Sequence, residues 1–116
     1  MPASTLVIVN PRSRSGATGR RLEALRGLLR DRLGPVEIES TRGPRDAERI
    51  AREAVRSGVE RLVIAGGDGT TSEVVTGLLA AGLGDHARIA LLPLGTGGDL
   101  ARSLGPAFLV ELQPLS

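Results

Sequence analysis

Residues 62–73 read LVIAGGDGTTSE, an apolar run that stops at three glycines and an aspartate. The apolar run predicts a buried strand, and the residues after it predict a tight turn and the start of a helix. Gly66, Gly67 and Gly69 allow positive φ and let a ligand approach the backbone without a Cβ in the way. The segment 70–73, TTSE, has the Ser/Thr-x-x-Glu form of a capping box, which places the helix N-terminus beside the turn. Anions are favoured at such a terminus, so the stretch predicts a phosphate-binding turn.

Asp68 is the unusual residue of this turn, because a carboxylate would repel a bare phosphate. Its presence is explained if a Mg²⁺ ion or a hydroxyl group lies between the carboxylate and the phosphate. The alternative is a strand-to-helix turn in which Asp68 and Thr70 satisfy only local backbone groups. Three surrounding glycines argue against that alternative, since a helix cap does not need them.

The composition limits the kinds of protein that this chain can be. With 116 residues, 41% of them hydrophobic, it is long enough for one core and one domain. Its single aromatic residue, Phe108, leaves no stacking platform for bases, and we predict no nucleic-acid partner. All 15 basic residues are arginine, which excludes a Walker A lysine. The absence of cysteine excludes disulfides and thiolate zinc sites and fits a cytoplasmic location.

Strand and helix patterns alternate along the chain. The predicted strands are 5–9, 36–39, 61–65 and 87–92, and the predicted helices begin near residues 20, 47, 70 and 100 and stop at glycines 34, 58, 82 and 105. This alternation predicts an α/β fold with an open, mostly parallel sheet and helices on both faces. The loops that follow the strands, 10–19, 40–45, 66–70 and 93–99, would then gather at the carboxyl edge of the sheet, where ligands bind.

Four motifs in this order resemble the diacylglycerol kinase catalytic-domain family, which includes bacterial lipid kinases and sphingosine kinases. They are VIVNPRSRSG at 7–16, STRGPRDAERIAREA at 40–54, VIAGGDGTTSEVVTGLL at 63–79 and LLPLGTGGDLARSLG at 91–105. The resemblance implies the N-terminal nucleotide-binding domain of such a kinase, related in fold to NAD kinases. It also implies ATP and Mg²⁺ as cofactors and transfer of the ATP γ-phosphoryl group to a lipid hydroxyl.

The resemblance assigns roles to residues at the predicted carboxyl edge. Asp68 is expected to act in catalysis and to hold the metal through water, and Glu73 to support the turn. The expected nucleotide-binding residues are Asn10, Arg12, Ser13, Arg14, Thr41, Gly66, Gly67, Asp68, Gly69, Thr70, Glu73, Gly95, Thr96 and Gly97. Gly98 stands where the family usually has Asn, and Ser72 where an Asn often follows the glycine turn.

Some residues also have structural explanations. Thr41 is a candidate cap for the helix near Pro44, Glu73 a capping-box residue, and Asp99 a cap for the helix that follows it.

The length of the chain leads to further expectations. Residues 1–106 are predicted to form the nucleotide-binding domain, and 107–116 to begin an interdomain connection or a further strand, with a second domain absent and the fragment inactive alone. The partners expected are ATP, a lipid such as diacylglycerol, the membrane surface in the full-length protein, and a second copy in a homodimer. Two alternatives are an NAD kinase-like enzyme and a nucleotide-binding or regulatory module without catalysis.

Overall fold

A five-stranded sheet forms the centre of the computed structural model, which describes residues 5–12, 20, 26–27, 29–31, 33–92 and 110–111. The strands are β1 (Thr5–Val9), β2 (Val36–Ser40), β3 (Arg61–Ala65), β4 (Arg88–Leu91) and β5 (Val110–Glu111), in the order β2-β1-β3-β4-β5. The first four strands pair in parallel, whereas β5 pairs antiparallel with β4. The predicted α/β class with an open, mostly parallel sheet is therefore confirmed.

Helices cover both faces of this sheet. The helices α1 (Asp46–Arg56) and α2 (Asp68–Ala80) pack on one face, where their apolar residues meet Leu6, Ile8 and Ile64. On the other face lie Leu29 and the partly buried Leu33, from the helical residues that precede position 34. They pack against the strand side chains that point to that face. Since both faces are covered, all five residues of β1 are buried, as the unbroken apolar run predicts.

The helices α1 and α2 approach each other closely at Gly77. A Cβ placed on this glycine would lie 2.6 Å from Glu48 Cγ and 2.9 Å from the Glu48 carbonyl oxygen. One of these contacts is with backbone, which cannot turn aside as a side chain can. Glycine at position 77 therefore permits the contact between the two helices.

The predicted helix ends are confirmed at three glycines. Gly34, Gly58 and Gly82 have φ values of 77°, 104° and 71°, in the left-handed region that ends many helices. After α1 the Val59 N–H donates to the Ala54 carbonyl, and after α2 the Leu83 N–H donates to the Leu78 carbonyl. These bonds satisfy carbonyl groups that the helix itself leaves open.

Element boundaries differ from the predictions at a few residues. β2 extends through Ser40, β4 is shorter than predicted at both ends, and α1 begins one residue early, at Asp46. The predicted helix near 100 lies outside the described residues, and the proposed division at residue 106 remains a prediction. Within the described ranges, no helix has the length and apolar character needed to cross a membrane.

Candidate functional site

Three predicted site residues lie side by side at the carboxyl edge of the sheet. The Thr41 N–H donates to the Val9 carbonyl over 2.7 Å, and the Asn10 N–H donates to the Ala65 carbonyl over 3.0 Å. The hydrogen-bond ladders therefore continue one residue past the strands and align Thr41, Asn10 and Gly66 across β2, β1 and β3. With strands about 4.8 Å apart, Thr41 and Gly66 are separated by about 10 Å.

In the turn after β3, the Thr70 side chain occupies the space that a side chain at Gly66 would need. A Cβ on Gly66 would lie 2.7 Å from Thr70 Oγ1, and Thr70 is only 4% exposed. By contrast, a Cβ on Gly67 or Gly69 meets no described atom within 4 Å. Gly66 is thus required by close packing, while Gly67 and Gly69 leave an open surface that a ligand can approach.

The capping box predicted at 70–73 is wrong, and the three glycines of this turn do not use the positive φ that glycine allows. The glycines of positive φ in the described residues are Gly34, Gly58 and Gly82, and the N-cap of α2 is Gly67, with extended backbone at φ −96° and ψ −169°. The helix begins at Asp68, so Thr70 is already inside its first turn. Glu73 lies in the second turn, too far along the helix to act as a capping-box residue.

The start of α2 presents backbone donors next to an acidic side chain. The Thr71 N–H makes the first intrahelical bond, to the Gly67 carbonyl over 3.2 Å, so the preceding N–H groups lack helical acceptors. Asp68 is the first residue of the helix and is exposed. A carboxylate here is favoured by the helix dipole. The Asp68 carboxylate makes no hydrogen bond with the described part of the chain, so no described contact occupies its oxygens.

Asn10 has one end of its amide fixed by the turn after β1. The Arg12 N–H donates to Asn10 Oδ1 over 3.0 Å, which assigns the oxygen to the turn. The Nδ2 group, a donor of two hydrogen bonds, is therefore the end that remains for a ligand. The exposed Arg12 follows at the same edge and adds positive charge there.

The loop between β2 and α1 is held by Asp46 rather than by Thr41. Asp46 Oδ2 accepts from the Arg42 N–H over 2.9 Å, and Oδ1 accepts from the Arg49 guanidinium over 2.7 Å. The N-cap of α1 is Arg45, at φ 68°, so the structural explanation of Thr41 as a cap is wrong. Sequence reasoning missed Asp46, although an aspartate in a first helical turn is the usual signal of such a role.

Asp46 makes the stability of this loop dependent on pH. The pKa of Asp46 lies below its ordinary value of 3.8, first because of the Arg42 N–H and then because of the Arg49 guanidinium. A lowered pKa means that the ionised carboxylate stabilises the fold above pH 3.8, and that this stabilisation is lost as the pH falls through the folded-state pKa. We expect Asp46→Asn to lower the melting temperature at pH 7 and to have a smaller effect at pH 3. A melting-temperature difference that stays constant between those pH values would contradict this.

The remaining predicted site residues lie outside the described part of the chain. They are Ser13, Arg14, Gly95, Thr96 and Gly97. The structure does describe where the chain enters the last of these loops, because the Leu92 N–H donates to the Ile64 carbonyl over 3.0 Å. Leu92 therefore leaves β4 next to the end of β3, on the side opposite Asn10.

Comparison with known proteins assigns this chain to a family. A family model described as "Diacylglycerol kinase catalytic domain" matches residues 4–111. The chain belongs to the diacylglycerol kinase catalytic-domain family.

Individual proteins agree with this assignment. The chain is 41% identical over 104 residues to "Probable lipid kinase YegS" of Salmonella newport strain SL254, covering 90% of this chain and 33% of that protein. A crystal structure of a diacylglycerol kinase from Bacillus anthracis str. Sterne has a TM-score of 0.66 and 32% identity, covering 88% of this chain and 36% of that one. The chain thus spans about a third of the length of the relatives it matches.

A third likeness concerns a protein of similar size. A solution structure of a phosphate-loop protein has a TM-score of 0.53 and 25% identity, covering 90% of this chain and 88% of that one. A fold of this kind therefore exists in a chain about as long as this one, without a large additional domain.

Proposed function

We propose that this chain is the ATP-binding part of a lipid kinase, in which the γ-phosphoryl group of ATP is transferred to a lipid hydroxyl such as that of diacylglycerol. The observation that carries the proposal is the alignment of Thr41, Asn10 and the glycine turn on one sheet edge, beside the N-terminus of α2. Family membership supports the type of reaction.

Each described residue at this edge has a role that its geometry suits. The free N–H groups at the start of α2 are donors for phosphate oxygens, and Gly67 and Gly69 leave room for the phosphates to approach. Asn10 Nδ2 is a further donor, and Thr41 lies about 10 Å from Gly66, a span that an extended triphosphate and its ribose can bridge. Arg12, and in the same loop Ser13 and Arg14, are proposed to lie near the nucleotide.

The residues present fit a magnesium ion bound together with ATP. No group of three or more acidic or histidine side chains in the described ranges forms a dedicated cation cage. Mg²⁺ does not need one, because it commonly keeps several waters and takes one or two carboxylates plus substrate phosphates. Asp68 would supply such a carboxylate, through water, and the ion would neutralise charge on the phosphates.

The chain's own contribution to transfer would be positioning and charge stabilisation. Phosphoryl transfer needs little covalent chemistry from the protein, since the phosphoryl group passes between oxygens that are held in line. The glycine turn would fix the phosphates, and Gly95, Thr96 and Gly97 are proposed to form the opposite side of the cleft. The general base and the lipid pocket are proposed to lie in the additional length that the relatives have.

Titration of this chain with ATP tests the nucleotide site. We expect weak binding that strengthens when Mg²⁺ is present, and no phosphate transfer to lipid by the 116 residues alone. Asn10→Asp is the informative variant, because the new carboxylate still accepts from the Arg12 N–H but replaces the Nδ2 donor with a negative acceptor. Loss of a charge-assisted hydrogen bond predicts about a tenfold weaker affinity, measured by calorimetry, with the melting temperature unchanged.

Two outcomes would count against this site. Tight binding that does not depend on Mg²⁺ would remove the role given to Asp68, and an Asn10→Asp variant with unchanged affinity would move the nucleotide away from β1. A matched control is Asp85→Asn, a change at an exposed residue of the opposite sheet edge. It should leave ATP affinity as it is.

The remaining expectations extend this proposal. The match to the diacylglycerol kinase model favours it over an NAD kinase-like enzyme. A nucleotide-binding or regulatory module without catalysis would bind ATP at the same edge and transfer no phosphate in any longer protein. Contact with the membrane surface, a homodimer and a cytoplasmic location remain proposals for the protein that contains this chain.

A further inference from the structure

Thr70 differs from its neighbours in the glycine turn because its side chain faces the protein. Gly67, Asp68 and Gly69 are exposed, whereas Thr70 is 4% exposed. All three heavy atoms of the Thr70 side chain lie close to Gly66. A Cβ on that glycine would be 2.7 Å from Oγ1, 3.0 Å from Cβ and 3.3 Å from Cγ2.

The hydroxyl group of Thr70 is not used in the described part of the chain. It makes no hydrogen bond there, whereas the neighbouring Thr71 hydroxyl donates to the Gly67 carbonyl over 3.3 Å. The contact that the structure describes for Thr70 is one of shape, because its branched side chain fills the space over Gly66. Since Gly66 joins β3 directly to the N-cap of α2, this contact docks the first turn of the helix on the end of the strand.

We propose that Thr70 is a positioning residue for the phosphate site, and that it acts through Gly66 by the shape of its side chain rather than by a hydrogen bond to phosphate. The branched side chain sets where the backbone N–H groups of Gly67, Asp68 and Gly69 lie relative to the sheet edge. This inference rests on the proposed function, because those N–H groups are the ones assigned to the phosphates.

Two substitutions separate shape from hydrogen bonding. Thr70→Val keeps the branched shape and removes the hydroxyl, whereas Thr70→Ser keeps the hydroxyl and removes the methyl group. We expect the Mg-ATP affinity of Thr70→Val to stay within about twofold of the parent chain, and that of Thr70→Ser to fall roughly five- to tenfold, because displaced binding groups lose much of their effect. Calorimetry at a temperature where both variants are fully folded gives the affinities.

A second measurement needs no nucleotide. In the free chain, the amide resonances of Gly67 and Gly69 should move in Thr70→Ser and stay near their parent positions in Thr70→Val. The matched control is Thr76→Ser, at an exposed position of the same helix, which should change neither the resonances nor the affinity.

Each other result would overturn the inference. Parent-like affinity in Thr70→Ser with loss in Thr70→Val would make the hydroxyl a phosphate ligand. Unchanged affinity in both variants, with only the melting temperature lowered, would leave Thr70 a purely structural residue. If the parent chain does not bind Mg-ATP, the proposed function fails, and the amide resonances of the free chain then decide alone whether Thr70 positions the turn.

Discussion

Replacement of Asp68 by alanine is expected to reduce phosphoryl transfer to lipid at least about a hundredfold in a kinase that contains this chain, because the carboxylate proposed to hold Mg²⁺, the ion that would neutralise charge on the phosphates, is lost. In this chain itself, the same change should remove the strengthening of ATP binding by Mg²⁺. The fold should survive, because Asp68 is exposed and makes no hydrogen bond in the described part of the chain. Loss of the favourable interaction between its carboxylate and the helix dipole should lower the stability by at most about 1 kcal/mol.

The comparison that isolates the carboxylate uses two further variants. Asp68→Asn retains the shape and removes the charge, so it should lose the Mg²⁺ effect as fully as Asp68→Ala. Asp85→Ala removes an exposed aspartate from the opposite edge of the sheet and should leave both transfer and Mg²⁺ dependence unchanged. Transfer near the parent rate in Asp68→Ala would take this residue out of the site.

Replacement of Gly66 by alanine is expected to lower the free energy of unfolding by about 1–3 kcal/mol, the usual cost of overpacking a well-filled region. The new Cβ would lie 2.7 Å from Thr70 Oγ1 and 3.0 Å from Thr70 Cβ, so rotation of the threonine does not remove the conflict. Gly69→Ala is the matched control. Its Cβ meets no described atom within 4 Å, and alanine in a helix is more favourable than glycine by about 1 kcal/mol.

In urea denaturation, Gly66→Ala should therefore lower the free energy of unfolding, and Gly69→Ala should raise it. Thr70→Gly supplies the second arm, because it removes the three atoms nearest to the new Cβ. In that background the cost of Gly66→Ala should largely disappear, which a double-mutant cycle reports as a coupling energy. Additive costs, or a stable Gly66→Ala variant, would show that Gly66 is not held by this contact.

Much of the fold could be predicted because its signals are local. The run at Thr5–Val9 forms a strand, and the glycines at 34, 58 and 82 end helices. Both features depend on residues that are neighbours in the sequence. The alternation of these elements then implies a parallel sheet and hence a common edge for the loops. Thr41, Asn10 and Gly66 follow neighbouring strands at that edge, as predicted.

The parts that could not be predicted depend on contacts made in space. TTSE has the form of a capping box, but α2 begins at Asp68, and Thr70 packs against Gly66 from inside the first turn. Gly66 does not use the positive φ that glycine allows, and the Thr70 side chain lies against the position where its Cβ would be, a contact that the sequence pattern did not reveal. Likewise, nothing local links Gly77 to Glu48, which lie in different helices. Asp46 is a partial exception, because its position at a helix start was visible in the sequence.

The hydrogen-bond ladders run one residue beyond β1 and β2, to Asn10 and Thr41. The backbone of these two residues is therefore held by hydrogen bonds to the central strands, even though both residues begin loops. A ligand arriving at this edge would meet a largely preorganised surface there, so little conformational entropy would be lost on binding. Adaptation to different ligands would have to come from residues farther along the loops.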